Sequence, residues 1–316
     1  MLDLILSGLI QSAPLTLATL GVVLIFKTSF TTNFAQGMIG TMAAYVVTFI
    51  LMPTPDVTGN VPDPTVGTYT LAIVIGIAVG FIVSMLLDLF IFRKSRYSTP
   101  VGKQIITMGI VLIITGLIPT FFGINERSLP RIGAQFEDTF LNYPVQAIIW
   151  LFNLFDYNIL YHQAVSVFIA FVLITVIFIA LRYTKWGLGV RATASNENVA
   201  SMMGVNTKLI TSMSWAIAGA LGVIAAIMIS SSRGYYGNIN TYFMIPIQVQ
   251  AFFAAILGGF STFYGPVIGA VIFGVLNSVF SFYLNPWGNT MLYLLILLIV
   301  LFKPLGLFGK KVAKKV

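Results

Sequence analysis

Runs of Ile, Leu, Val, Phe and Ala recur along the chain at lengths near 20 residues, separated by short polar breaks. A helix rising 1.5 Å per residue needs about 20 mostly apolar residues to cross a hydrocarbon layer ~30 Å thick. The pattern predicts such helices at 4–27, 34–52, 67–92, 104–122, 163–183, 209–230, 266–284 and 289–308. A ninth candidate, 244–260, is short, contains Pro246, Gln248 and Gln250, and ends in Gly258 and Gly259. The expected fold class is an all-α, polytopic transmembrane helix bundle of eight to nine spans, with residues 1–316 as one domain.

Composition agrees with that pattern: 58% of residues are hydrophobic and 8% charged, against about 25% charged in an ordinary soluble domain. The sequence has no cysteine, which excludes disulfides, thiolate metal sites and a cysteine nucleophile. The opening "MLDLILSGLIQ" carries an acid where a signal peptide has basic residues, so 4–27 reads as a retained span.

The net charge of +8 is unevenly placed. Arg93, Lys94, Arg96 and Lys103 fill one loop, Arg182, Lys185, Arg191 and Lys208 bracket another, and "KKVAKK" follows Lys303. Basic residues near span ends stay cytoplasmic, so these regions share the inner side, Lys27 joins them and the N-terminus lies outside. The acids of "TPDVTGNVPDPT" and of the loop 123–162 then fall outside, and of 17 Lys and Arg only Arg127, Arg131 and Arg233 do so. A cytoplasmic C-terminus requires 244–260 to cross, giving nine passages. Charge spread over the loops of one face is a topology signal, not a nucleic-acid surface.

A compact polar interruption, "RATASNENVASMMGVNTK" at 191–208, lies within a cytoplasmic loop 184–208. Ser195 is suited to cap a helix, Glu197 to its positive end, and Gly204 to a left-handed stop. One short helix is expected at about 196–203, with Thr207 capping the next span. Val199, Met202 and Met203 share a face at i, i+3 and i+4. Such a helix either lies on the membrane or docks a soluble motor that drives the membrane domain.

Other polar residues offer a solute route. Asn33 and Gln36 sit where the second span begins; unpaired amides are costly in lipid, so these either bond across helices or line a water-filled path. Gln248 and Gln250, around a proline-interrupted segment, form a second candidate, because broken helices expose backbone polar groups near the midplane. Asp88 lies within about a turn of Arg93 and reads as a snorkelling pair; His162 is the single histidine, which excludes a multi-histidine metal site. "GPVIG" at 265–269, with Gly219, Gly222, Gly258 and Gly259, reads as close helix packing. No Gly-x-x-x-x-Gly-Lys-Ser/Thr loop occurs, "WGLGVR" follows no strand, and no carboxylate pair or Ser-His arrangement stands out. The chain reads as a non-enzyme.

"GLGVRATASNENVASMMGVNTKLI" resembles the cytoplasmic loop of ABC-transporter permeases of the branched-chain amino acid type, through Gly189, Arg191, Ala192, Glu197, Ala200, Gly204, Val205 and Asn206. "TNFAQGMIGTMAAYV" is similar to that family's Asn-Phe-Ala-His-Gly signature, with Gln36 at the histidine position, and "AAILGGFSTFYGPVIGAVIFGVL" to its late glycine-rich segment. "QIITMGIVLIITGL" and "FFGINERSLP" fit its middle spans and outer loop. The aromatic "AIIWLFNLFDYNILYHQ" departs from it.

The resemblance implies a permease subunit of an ATP-driven importer in a bacterial or archaeal cytoplasmic membrane, carrying branched-chain or other amino acids. It implies a second permease subunit, two ATPase subunits that use the ATP, an external solute-binding protein, and no cofactor bound by this chain. Arg191, Glu197, Val199, Met202, Met203, Gly204 and Asn206 would couple it to the ATPases, while Asn33, Gln36, Gln248 and Gln250 would line the route. Alternatives are a related permease for sugar, nucleoside or urea, and an ion-coupled secondary transporter, for which one marginal acid, Asp88, is thin support.

Overall fold

Two apolar helices, Leu2–Ser29 (α1) and Thr207–Ser231 (α9), run through the centre of the computed structural model, which describes residues 1–51, 65–95, 99–130, 139, 142–231 and 236–309. Around them stand Gln36–Leu51 (α2), Val66–Leu87 (α3), Pro100–Phe122 (α4), Asn142–Asn153 (α5) and Tyr161–Tyr183 (α6). Lys185–Ser195 (α7), Glu197–Met202 (α8), Ile245–Gly258 (α10), Tyr264–Tyr283 (α11) and Gly288–Phe302 (α12) complete the helices. The acids Asp56 and Asp63, the base Arg96 and the tail "KKVAKK" lie outside the described residues.

Among the described residues, α1, α3 with its extension to Phe92, α4, α6, α9 and α11 are long and apolar enough to cross a membrane. Shorter are α2, α10 and α12. The expected span 289–308 ends early because Lys303 precedes Pro304, which disfavours helical backbone at the residue before it. The chain then turns through Gly306, at φ 78°, and Leu307 and Phe308 donate to the carbonyls of Leu257 and Gly258, closing the end of α10.

Packing exploits small residues. A Cβ on Gly258 would lie 2.1 Å from the Gly265 carbonyl oxygen, and one on Gly219 would lie 2.3 Å from that of Gly80, so α10–α11 and α3–α9 approach backbone to backbone. The glycines of "GPVIG" and its neighbours thus serve close packing, as expected. At its end α3 widens into a π turn, Asp88–Phe92. Buried Asp88 there accepts from the Ser212 hydroxyl and stands 3.6 Å from Arg93 Nε, and Arg93 also donates to Ser212 Oγ at 2.6 Å and Lys208 O at 3.0 Å. The expected pair exists, but Asp88 is buried against α9 rather than snorkelling.

The helix bundle carries two further features, a short ribbon and a helix within the aromatic loop. Arg127–Pro130 (β1) pairs antiparallel with Tyr236–Ile239 (β2), and Leu129 and Ile239 are fully buried beneath the ribbon. Within the aromatic loop, α5 packs on α6 through Val145 and leaves Tyr143 and Trp150 exposed, a composition suited to a membrane interface.

The packing partners repeat. α1 packs on α11 as α9 does on α3; α2 packs on α3 and α9 as α10 does on α11 and α1; α2 touches α4 as α10 touches α12. Exchanging α1–α3 for α9–α11 therefore leaves these contacts in place, an internal two-fold repeat of the kind found in transporters.

Candidate functional site

The repeat brings two short helices together head to head. After α1 ends, Phe30 adopts a left-handed φ of 50° and residues 31–35 run back into the bundle without helical structure. Gln104 on α4 donates to Thr32 Oγ1 (2.8 Å), and Phe34 N donates to Thr107 Oγ1 (3.3 Å), which hold this return. Asn33 Oδ1 accepts from Ala35 N at 2.9 Å, turning the chain into α2. Asn240 repeats the turn, accepting from Tyr242 N at 3.0 Å before α10 begins.

Gln36, the first residue of α2, donates to Ala18 O at 3.1 Å, about 16 Å of helix from the C-terminal end of α1. Thus α2 starts near the middle of the bundle. Gln248 reaches this same point from the first turn of α10: its Oε1 accepts from Gly37 N at 2.8 Å and its Nε2 donates to Asn33 O at 3.2 Å. The two helices then diverge. On α2, Tyr45 reaches Ile239 of the ribbon, whereas α10 runs toward the other end, where Phe260 meets Phe26 and Lys27 donates to Ser261 O.

Three of the four expected route residues, Asn33, Gln36 and Gln248, are therefore buried at this junction. Asn33 Nδ2 and Gln36 Oε1 have no hydrogen-bond partner among the described residues. Gln250 instead lines a cavity between α1, α6, α9, α10 and α11. Pro246 does not interrupt the segment, as the sequence suggested; it sits in the first turn of α10, where its missing N–H is not needed.

The polar stretch forms two helices rather than one. α7 was not foreseen: Thr184 Oγ1 caps it by accepting from Gly187 N at 3.0 Å. Gly187 and Gly189 in "WGLGVR" let it lie against Leu181 and Ile210, where added Cβ atoms would fall 2.5 and 2.6 Å from their atoms. Arg191, on its exposed side, donates to Arg182 O at 3.4 Å.

α8 is Glu197–Met202, shorter than the expected 196–203, and its cap is Asn196, not Ser195, which belongs to α7. Asn196 is extended at φ −161° and its Oδ1 accepts from Val199 N at 3.1 Å. Glu197 occupies the first turn, where the helix dipole favours an acid. Gly204 takes the left-handed stop at φ 85°, with Val205 N donating to Ala200 O at 3.0 Å. The cap of α9 is Asn206, through Leu209 N at 3.1 Å, rather than Thr207, which is its first residue. Only Ala200 of α8 is buried; Val199, Met202 and Met203 are 53%, 85% and 80% exposed, so their apolar face is left uncovered by the described residues.

A helical bundle built from internally repeated apolar segments, with two short helices starting head to head near its middle, defines a multi-pass membrane permease. The family described as "Branched-chain amino acid transport system / permease component" matches residues 4–301, and the chain belongs to it. It is 26% identical to the high-affinity branched-chain amino acid transport system permease protein LivH of Escherichia coli K12, across 98% of this chain and 96% of that one. It is 27% identical to the probable branched-chain amino acid transport permease protein LivH of Methanocaldococcus jannaschii, across 97% and 92%. A more distant likeness is to the galactose/methyl galactoside import permease protein MglC of Salmonella typhimurium, 24% identical across 85% and 76%. No solved structure matches the chain.

Proposed function

We propose that this ABC permease carries branched-chain amino acids inward across a bacterial or archaeal cytoplasmic membrane, with nine crossings, an external N-terminus and a cytoplasmic C-terminus. A second permease subunit pairs with it, an external solute-binding protein delivers the solute, and two ATPase subunits hydrolyse ATP; this chain needs no cofactor. The α2–α10 junction, with Asn33, Gln36, Gln248 and neighbouring Gln250, walls the route. The observation carrying this reading is the exposed Val199–Met202–Met203 face on a helix fixed at both ends between two spans. An element so clamped transmits force without absorbing it, and its apolar face fits a groove on a soluble motor. Arg191, Glu197, Gly204 and Asn206 hold that element in shape.

The test is co-purification of the partner ATPase with Met203→Asp, alongside leucine uptake in reconstituted vesicles. A charge left unpaired in an apolar groove costs about 2 kcal/mol or more, so association should weaken roughly 30-fold while membrane insertion is retained. Unchanged association and uptake would make α8 a helix that merely lies on the membrane. The likeness to a galactose permease favours a sugar as the second reading; galactose uptake without leucine uptake would select it.

A further inference from the structure

The cavity that Gln250 lines has a volume of about 340 Å³, and its wall is mixed in a specific way. Gln11 from α1, Gln163 and Ser166 from α6, Gln250 from α10 and Asn277 from α11 bring four amides and a hydroxyl to one space, with His162 beside them. Leu15, Met228, Ile247 and Phe273 supply an apolar side. No Asp, Glu, Lys or Arg lines it. It sits next to the α2–α10 junction, since Ile247 and Gln250 flank Gln248, and extends toward the end of the bundle away from α7 and α8.

Some of these groups are already engaged. Gln11 donates to Ser7 Oγ at 3.1 Å, Gln163 Oε1 accepts from Leu160 N at 3.2 Å, and Ser166 donates to His162 O at 2.9 Å. Asn277 Oδ1 is buried without a hydrogen-bond partner among the described residues. A buried acceptor left open beside several amides is an arrangement that a polar ligand completes.

We propose that this chamber holds the solute on its way to the α2–α10 junction, and that it selects an amino acid of no net charge with an aliphatic side chain. The inference rests on the amino acid importer reading above and names the position and chemistry of its cargo. Amides donate through N–H and accept through C=O, so one set serves both the carboxylate and the ammonium of a zwitterion. A cationic or anionic side chain would enter with no counter-charge, which is costly in a desolvated space. The apolar side takes the aliphatic group. At roughly 30 Å³ per water the chamber holds the equivalent of about 11 waters, room for the nine non-hydrogen atoms of leucine.

Because the sequence lacks cysteine, Ile247→Cys on the apolar wall gives this chain a single thiol in the chamber and leaves its polar groups in place. In vesicles carrying the intact transporter, its rate of modification by a small methanethiosulfonate is measured with leucine, lysine, glutamate or galactose in excess. Leucine should slow labelling at least 3-fold, and the others should leave it unchanged. Should Ile247→Cys fail to accumulate, Ser166→Cys takes its place in the same assay. Labelling that leucine does not slow, equal protection by lysine or glutamate, protection by galactose instead, or a thiol that never reacts overturns the inference. Failure of the importer reading shows separately, as absent ATP-dependent leucine uptake by the unmodified protein.

Discussion

Replacing Gln248 by Leu removes one side chain that satisfies two backbone groups on another segment. In the native protein its Oε1 takes the N–H of Gly37 and its Nε2 supplies a hydrogen to the carbonyl of Asn33. Gly37 is the second residue of α2, so its N–H is one of the four that a helix start leaves without an internal partner; Gln248 caps α2 from α10. Leucine is similar in size, and Gln248 is only 7% exposed, so the change in buried area is small. What is lost is the pairing of a buried donor and a buried acceptor, each worth about 1 to 3 kcal/mol when left unsatisfied. The carbonyl tolerates this better than the N–H, which puts the expected loss at about 2 to 4 kcal/mol. Gln250→Leu, two residues on but facing the chamber, should cost less than about 1 kcal/mol. The assay is reversible unfolding in mixed detergent micelles, comparing both variants with the parent. A Gln248→Leu protein within 0.5 kcal/mol of the parent would show that the junction is held by apolar packing alone.

Two further outcomes follow from the packing and the charge pattern. Gly258→Ala should separate α10 from α11, since its Cβ would fall 2.1 Å from the Gly265 carbonyl oxygen; a loss above about 1 kcal/mol is expected by the same unfolding measurement, and an unchanged value would refute the close approach. Single cysteines at Ser95 and Ser201 should react with an impermeant reagent only after permeabilisation, whereas one at Asp156 should react from outside; external labelling of Ser201→Cys would reverse the orientation.

Hydropathy and local chemistry determined where helices exist and much of where they stop. The expected span 209–230 is Thr207–Ser231, and 163–183 is Tyr161–Tyr183. Both follow from the need of the backbone to bond internally in an apolar medium. Gly204 was legible as a left-handed stop because only glycine takes that φ without strain, and the apolar face of Val199, Met202 and Met203 was legible from spacing. The caps at Asn196 and Asn206 were displaced by one residue because adjacent Ser195 and Thr207 carry similar acceptors, and α7 was missed because its two glycines lower helix propensity while serving to pack it against α6 and α9.

Tertiary structure alone decided which apolar helices are central. α1 and α9 have 78% of their most apolar stretch buried within the protein, α3 and α4 only 22%, yet all qualify equally as spans. Lipid is as apolar as a leucine-rich core, so hydrophobicity cannot distinguish a helix facing protein from one facing lipid. The same blindness hid the depth at which α2 and α10 begin, the pairing of two distant loops as a ribbon, and the meeting of Gln11, Ser166, Gln250 and Asn277 around one chamber. These depend on contacts between residues far apart in the chain, which the 3.6-residue period of any single helix does not encode.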